Sequence, residues 1–190
     1  MELVMPENTK NSTLIGIALI ALILLTRTSH FGTSVLLPDA TIAALFLTGI
    51  LMKKLRWLAI SMVVAFAVDF YALGFAGVSD YCMSLGYWGL IPTYAMVWGA
   101  GRYIAKQDNP FALTVFIPAA LLTTSLAFIL SNAFWYAFSD KVSSLTIIEF
   151  SQRVAQYFTP YLGFTIFYVG VAWVAQAALK KLSVTKSQTA

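Results

Sequence analysis

Residues 111–137 read FALTVFIPAALLTTSLAFILSNAFWYA and contain no charged side chain. A helix needs about 20 predominantly apolar residues to cross the hydrocarbon core of a bilayer, and this stretch is longer than that. Within hydrocarbon, every backbone N–H and C=O must be paired inside the protein, so a continuous apolar run predicts a helix. The stretch therefore predicts a transmembrane α-helix.

Five further apolar stretches occupy most of the remaining chain. We predict six transmembrane helices, at roughly 12–30, 35–52, 57–76, 87–105, 111–137 and 156–179. Charged residues make up only 11% of the sequence and mean hydropathy is +0.79, whereas about a quarter of a soluble protein is charged. The expected fold is an all-α integral membrane bundle in which residues 1–190 form one transmembrane domain. A polar lead precedes the first stretch and no small-x-small cleavage site follows it, so we expect a retained helix.

The basic residues predict the orientation of the bundle. Nine of the twelve Lys and Arg fall on one side of the predicted helices: Lys10, Lys53, Lys54, Arg56, Arg102, Lys106, Lys180, Lys181 and Lys186. The other three are Arg27, Lys141 and Arg153. The positive-inside rule makes the majority side cytoplasmic, with both termini inside. This partition accounts for the net charge of +4 without a nucleic-acid partner.

The predicted external side carries the unusual polar residues, including His30 and Asp39 in its first loop. Asp69 lies twelve residues beyond Trp57, at a depth of about 18 Å along helix three. An isolated carboxylate there costs at least about 2.5 kcal/mol, so Asp69 is expected to face a polar cavity or a charged partner. A structural ion pair with Arg27 or Arg153 is the alternative to a ligand-binding role.

Cys82 is the only cysteine, which excludes an intrachain disulfide and a Cys-Cys metal site. It lies in the polar, aromatic segment VSDYCMSLGYWG at 78–89, which places it at the mouth of the cavity onto which Asp69 is expected to open. A thiolate is a soft donor that suits polarizable transition metals. One Cys and one His do not make a closed zinc site, but a metal that arrives within a cofactor needs only one axial donor. A small hydrophobic residue in a helix interface is the alternative interpretation of Cys82.

Other features have structural and functional interpretations side by side. The aromatic residues near the external rim form either an interfacial belt or the wall of a site for a large flat ligand: Trp88, Trp135, Tyr136, Tyr157 and Tyr161. Glu149 and Arg153 are four apart on a helical lead-in, which suits a surface pair as well as ligand contact. Small residues in helices four and six predict close helix packing: Gly99, Ala100, Gly101, Gly163, Gly170, Ala172 and Ala175. The sequence contains no Walker motif, G-x-S-x-G, H-E-x-x-H or C-x-x-C.

Taken together, these residues resemble a known family. Six helices, a basic cytoplasmic face and an external site are similar to the S-components of energy-coupling-factor vitamin transporters, and more closely to the proteobacterial cobalamin transporters called BtuM. The match is carried by His30 in HFGTS, Asp69 in AVDFY, and Cys82 with Tyr87 in DYCMSLGYWG. The resemblance spans the whole chain, and the cysteine–tyrosine loop is its most specific part.

The resemblance implies a bacterial inner-membrane protein that takes up cobalamin. Cys82 is then the axial ligand of the corrin cobalt, with His30, Asp69 and Tyr87 around it, and Tyr81, Trp88 and Arg153 as further candidates. If an upper cyanide ligand is removed, Cys82, Asp69 and Tyr87 are the residues to do it. No ATP site and no other metal are expected. Binding of another vitamin, such as thiamin or riboflavin, and a membrane enzyme with Cys82 as nucleophile are the alternatives.

The chain departs from the S-component pattern in its first helix. S-components that dock a shared coupling subunit carry A-x-x-x-A there, whereas Ala18 and Ala21 of this chain are only three apart. This departure is consistent with a transporter that works without a dedicated coupling module.

Overall fold

The apolar runs fold into helices throughout the part of the chain that the computed structural model describes, residues 9–27, 37–75 and 79–188. Those residues contain no strand. The α-helices are α1 Thr9–Thr26, α2 Thr41–Leu51, α3 Arg56–Phe75, α4 Leu90–Ile104, α5 Leu113–Phe138 and α6 Ile147–Gln188. Short 3₁₀ turns lie at Asp80–Cys82, Leu85–Gly89 and Asp140–Val142. The all-helical fold class is therefore confirmed.

Three of these helices are long and apolar enough to cross a membrane. They are α3, α5 and the Ile147–Lys181 part of α6. Two shorter apolar helical segments, Ser12–Thr26 and Thr41–Leu51, fall below that length. Apolar side chains that cover the outside of a helical bundle are stable in lipid and costly in water, so these helices support a membrane location.

Helix α2 is shorter than its predicted span of 35–52 and lies in the middle of the bundle. Residues 41–50 are all buried, and α2 packs against α1, α3, α4, α5 and α6. The helix begins at Thr41, directly after a turn in which the Asp39 carboxylate accepts a hydrogen bond from the Thr41 N–H at 2.8 Å. The apolarity of α2 is thus satisfied by protein contacts along its whole length.

Helices α4 and α6 also start away from their predicted spans. Helix α4 begins at Leu90, after a 3₁₀ turn that occupies the first residues of the predicted span 87–105. Helix α6 begins at Ile147 instead of 156, because Thr146 and Glu149 form a capping box. The Glu149 carboxylate accepts the Thr146 N–H at 2.8 Å, and the Thr146 hydroxyl accepts the Glu149 N–H at 3.3 Å. Capping therefore accounts for Glu149 without a ligand.

Close helix packing is confirmed at Gly101 and extends to Gly49 of α2. A Cβ atom on Gly49 would overlap the Trp98 carbonyl, and one on Gly101 would overlap the Phe46 carbonyl, so α2 and α4 touch backbone to backbone. The predicted close packing is wrong at three other glycines, where an added Cβ meets no described atom within 4 Å: Gly99, Gly163 and Gly170.

Candidate functional site

A buried ion cluster joins three helical segments at one end of the bundle, here called the charged end. Arg27 follows α1, Asp39 precedes α2, and Asp69 lies in the C-terminal half of α3. The Arg27 guanidinium donates from Nε to Asp69 Oδ1 at 2.8 Å and from Nη2 to Asp69 Oδ2 at 2.7 Å. Its Nη1 donates to Asp39 Oδ2 at 2.8 Å. One cation therefore serves two carboxylates.

Burial determines how strongly these charges depend on one another. The Arg27 side chain is 2% exposed and that of Asp69 is 0% exposed, whereas the Asp39 side chain is 20% exposed. Removing one partner of a buried pair leaves an uncompensated charge, which costs about 3–5 kcal/mol. The planar guanidinium matches this task because its fork binds one carboxylate with two donors while a third donor reaches the other.

Tyr87 connects the cluster to the segment that carries Cys82. Its hydroxyl donates to Asp69 Oδ2 at 2.8 Å, and Tyr87 is itself buried. The ring packs on Phe66 and Phe70 of α3, with centroid distances of 5.6 Å and 6.3 Å. Asp69 thus accepts three hydrogen bonds. The Tyr87 side chain is held by the hydrogen bond of its hydroxyl and by the packing of its ring.

Tyr94 of α4 packs against the Arg27 guanidinium of the cluster. The Arg27 Cζ lies 5.9 Å from the centroid of the Tyr94 ring, within cation–π range. Tyr94 is 1% exposed, and its hydroxyl has no hydrogen-bond partner within the described ranges. An aromatic face next to the guanidinium partly replaces the solvation that burial removes from it.

The segment between α3 and α4 is held against α5 by close backbone contact. A Cβ on Gly86 would come within 2.8 Å of the Trp135 Cα, and one on Gly89 would overlap the Phe134 side chain. The Tyr81 ring packs on Trp135 at a centroid distance of 5.6 Å. Together with the Tyr87–Asp69 bond, these contacts fix Tyr81 and residues 86–89 on either side of Cys82.

The predicted site residues fall into three groups. Asp69 and Tyr87 are in direct contact. The Cys82 backbone lies in the 3₁₀ turn Asp80–Cys82, which Ser79 caps by accepting the Tyr81 N–H at 3.2 Å. His30 lies outside the described residues.

The less central candidates lie nearer the surface. Tyr81 and Trp88 are half exposed, and Trp88 packs on Tyr87 with a centroid distance of 5.7 Å. Arg153 is exposed on α6, and its backbone carbonyl accepts from the Gln156 side chain. The structure therefore associates Trp88 with the cluster through Tyr87, whereas the described contacts of Arg153 are local.

Asp69 has the charged partner that was one of its two expected surroundings. It is completely buried, and both its oxygens accept hydrogen bonds. Its partner is Arg27, one of the two arginines that the sequence offered. The sequence interpretation missed Asp39 and Tyr94 as members of the same cluster. The available signal for Asp39 was that it is a second carboxylate on the same predicted side of the bundle as Asp69.

The side chains at the charged end determine which ligands it can hold. In the described part of the chain, no three His, Cys, Asp or Glu side chains converge in the manner of a protein-built metal site. The charged end instead contains the Tyr87 phenol and the Arg27–Asp39–Asp69 cluster, next to the segment that carries Cys82.

Comparison with known proteins adds no relative: no protein-family model matches this chain, and no curated protein matches its sequence.

Proposed function

We propose that this protein is a cobalamin transporter of the bacterial inner membrane in which the Cys82 thiolate is an axial ligand of the corrin cobalt. The observation that carries the proposal is the 2.8 Å hydrogen bond between Tyr87 and Asp69. The resemblance groups these two residues with Cys82 around cobalt. Their direct contact, on a segment that is fixed against α5, supports a common role.

The proposed site works by holding its metal donor in place before the ligand arrives. The contacts of Tyr81 and Gly86 with α5, and of Tyr87 with Asp69, restrain both flanks of Cys82. A restrained loop loses little conformational entropy on binding, so more of the interaction free energy appears as affinity. In this proposal Arg27 and Asp69 are positioning residues that act through Tyr87.

Ligand exchange at cobalt requires no reductant. The Cys82 thiol loses its proton and the sulfur lone pair forms the bond to cobalt. The displaced axial ligand leaves with its electron pair. If that ligand is cyanide, it takes up the proton and departs as hydrogen cyanide.

The proposed topology has six membrane crossings and cytoplasmic termini. The long helices α3, α5 and α6 support three crossings directly. For the other three, α4 is extended by its preceding 3₁₀ turn, α1 has 18 residues, and α2 has 11 residues enclosed by its neighbours. Because an 11-residue helix is only about 16 Å long, α2 needs the adjoining non-helical residues to complete its crossing. The uneven distribution of Lys and Arg supports the orientation.

A corrin absorption spectrum of the purified full-length protein tests this function against its rivals. We expect protein expressed with cobalamin to carry a bound corrin whose visible spectrum differs from that of free cobalamin. In Cys82→Ser, which changes the donor with little change in volume, that spectrum should revert towards the free form. Affinity should fall without vanishing, because the corrin still buries apolar surface at about 25 cal/mol per Å².

The outcomes distinguish the alternatives. A protein that binds thiamin or riboflavin but no corrin is a carrier of a different vitamin. A protein that turns over a substrate covalently at Cys82 without binding corrin is an enzyme. An unchanged bound spectrum in Cys82→Ser rules out cobalt ligation by this residue.

A further inference from the structure

A cavity lies beside the charged end, between the start of α2 and the middle of α6. Its volume is about 320 Å³, which falls in the range of small-ligand pockets. The α2 side contributes Pro38, Asp39 and Ile42, and the α6 side contributes Tyr157, Pro160, Tyr161, Phe164 and Thr165. None of these lining residues is cationic.

The cavity wall includes the carboxylate of Asp39, which shares the Arg27 guanidinium with Asp69. Asp39 Oδ2 accepts from Arg27, and Asp39 Oδ1 accepts from the backbone and hydroxyl of Thr41. Arg27 divides its charge between Asp39 and the fully buried Asp69. Asp39 is the more exposed of the two carboxylates, and it lines the cavity whereas Asp69 does not.

Aromatic rings supply the remaining wall. Tyr157 and Phe164 are about half exposed, and Tyr161 packs on Phe128 at a centroid distance of 5.3 Å, which orients its ring. The faces of aromatic rings carry negative quadrupole potential and attract ammonium groups. A carboxylate beside several aromatic rings favours a weakly hydrated organic cation over a small, strongly hydrated metal ion.

From this combination we propose that the cavity binds a small organic ammonium group of about the size of choline. The charge of Asp39 disfavours an anion, and the aromatic wall distinguishes an ammonium group from sodium. The lining residues do not include the segment 79–89 that carries Cys82, and the proposal requires no corrin. Failure of cobalamin binding therefore leaves this proposal standing, and the reverse also holds.

The test compares choline with 3,3-dimethyl-1-butanol, which has the same shape without the charge. Isothermal titration of the purified full-length protein in detergent, at constant ionic strength, should show choline binding at least about tenfold more tightly than the neutral analogue. Tyr157→Leu removes one aromatic face and should weaken choline binding about two- to fivefold, which is the range that one cation–π contact contributes at an exposed site. Asp39→Asn should abolish it.

Control variants keep the result interpretable. Asp39→Asn alters the ion cluster and can impair folding, so Tyr157→Leu, on an exposed side chain, is the decisive variant. Tyr103→Leu is its matched control, because Tyr103 is similarly exposed, at 66% against 61%, and is not part of this wall. Equal binding of choline and its neutral analogue, equal competition by sodium, or equal loss in Tyr103→Leu each overturns the proposal, as does no binding of choline at all.

Discussion

Replacing Arg27 by glutamine removes the one cation that two carboxylates share. Three hydrogen bonds of 2.7–2.8 Å are lost, and Asp69 keeps Tyr87 as its only donor among the described contacts. Because Asp69 is fully buried, we expect a destabilisation of about 3–5 kcal/mol. At roughly 2–4 °C per kcal/mol for a chain of this size, the midpoint of thermal unfolding should fall by about 6–20 °C.

The assay is thermal unfolding of the purified protein in detergent, with Arg102→Gln as the matched control. Arg102 is half-buried and makes one long hydrogen bond, 3.4 Å from its Nη1 to the Gly49 carbonyl. Its loss should cost no more than about 1 kcal/mol. The same chemical substitution at two arginines therefore separates the buried cluster from a general effect of losing positive charge.

A double variant isolates the role of charge. Asp69→Asn alone leaves Arg27 paired with Asp39, so its cost should be smaller, about 1–3 kcal/mol. In Arg27→Gln combined with Asp69→Asn the buried charge is gone, and stability should recover relative to Arg27→Gln. The reasoning is refuted if Arg27→Gln is no less stable than Arg102→Gln, or if the two cluster substitutions simply add.

Three further predictions concern the loop that carries Cys82. Gly89→Ala should destabilise the protein by about 1–3 kcal/mol in thermal unfolding because the added methyl overlaps Phe134, whereas Gly99→Ala, at a position with open space, should be neutral or stabilising. An impermeant thiol reagent added to intact spheroplasts should label Cys82, and bound cobalamin should protect it; labelling only after permeabilisation contradicts the proposed orientation. Tyr87→Phe should keep the shifted corrin spectrum but lower cobalamin affinity about tenfold, the free-energy scale of one hydrogen bond to a charged group; unchanged affinity in equilibrium titration separates Tyr87 from the site.

The sequence was most informative where the energetic cost of a residue was highest. Asp69 stood out because a carboxylate deep in an apolar helix needs compensation. Its partner could be narrowed only to two arginines, since Arg27 is 42 residues away and comes close through tertiary packing alone. Asp39 was placed on the same side of the bundle, but its contact with Arg27 was missed because it too depends on tertiary packing.

Hydrophobicity predicted helices but not their surroundings. A lipid-facing helix and a helix at the centre of a bundle have similarly apolar sequences. The sequence therefore predicted the span 35–52 without showing that the 11 residues of α2 are enclosed by protein. The early start of α6 had a local signal in the Thr-x-x-Glu pattern at Thr146 and Glu149, which is a capping-box signature. The start of α4 had no comparable signal, because the 3₁₀ turn before it depends on the contact of Gly86 and Gly89 with α5.

The enclosed position of α2 also limits how cargo would cross the proposed transporter. Where a channel has a water-filled axis, this bundle has a solid helix, and at Gly49 and Gly101 its backbone meets that of α4 without intervening side chains. A corrin is far wider than any gap that such a contact leaves. Passage along the axis therefore requires α2 and α4 to separate, and a bridge engineered to lock that pair together would distinguish an axial route from one along the lipid boundary.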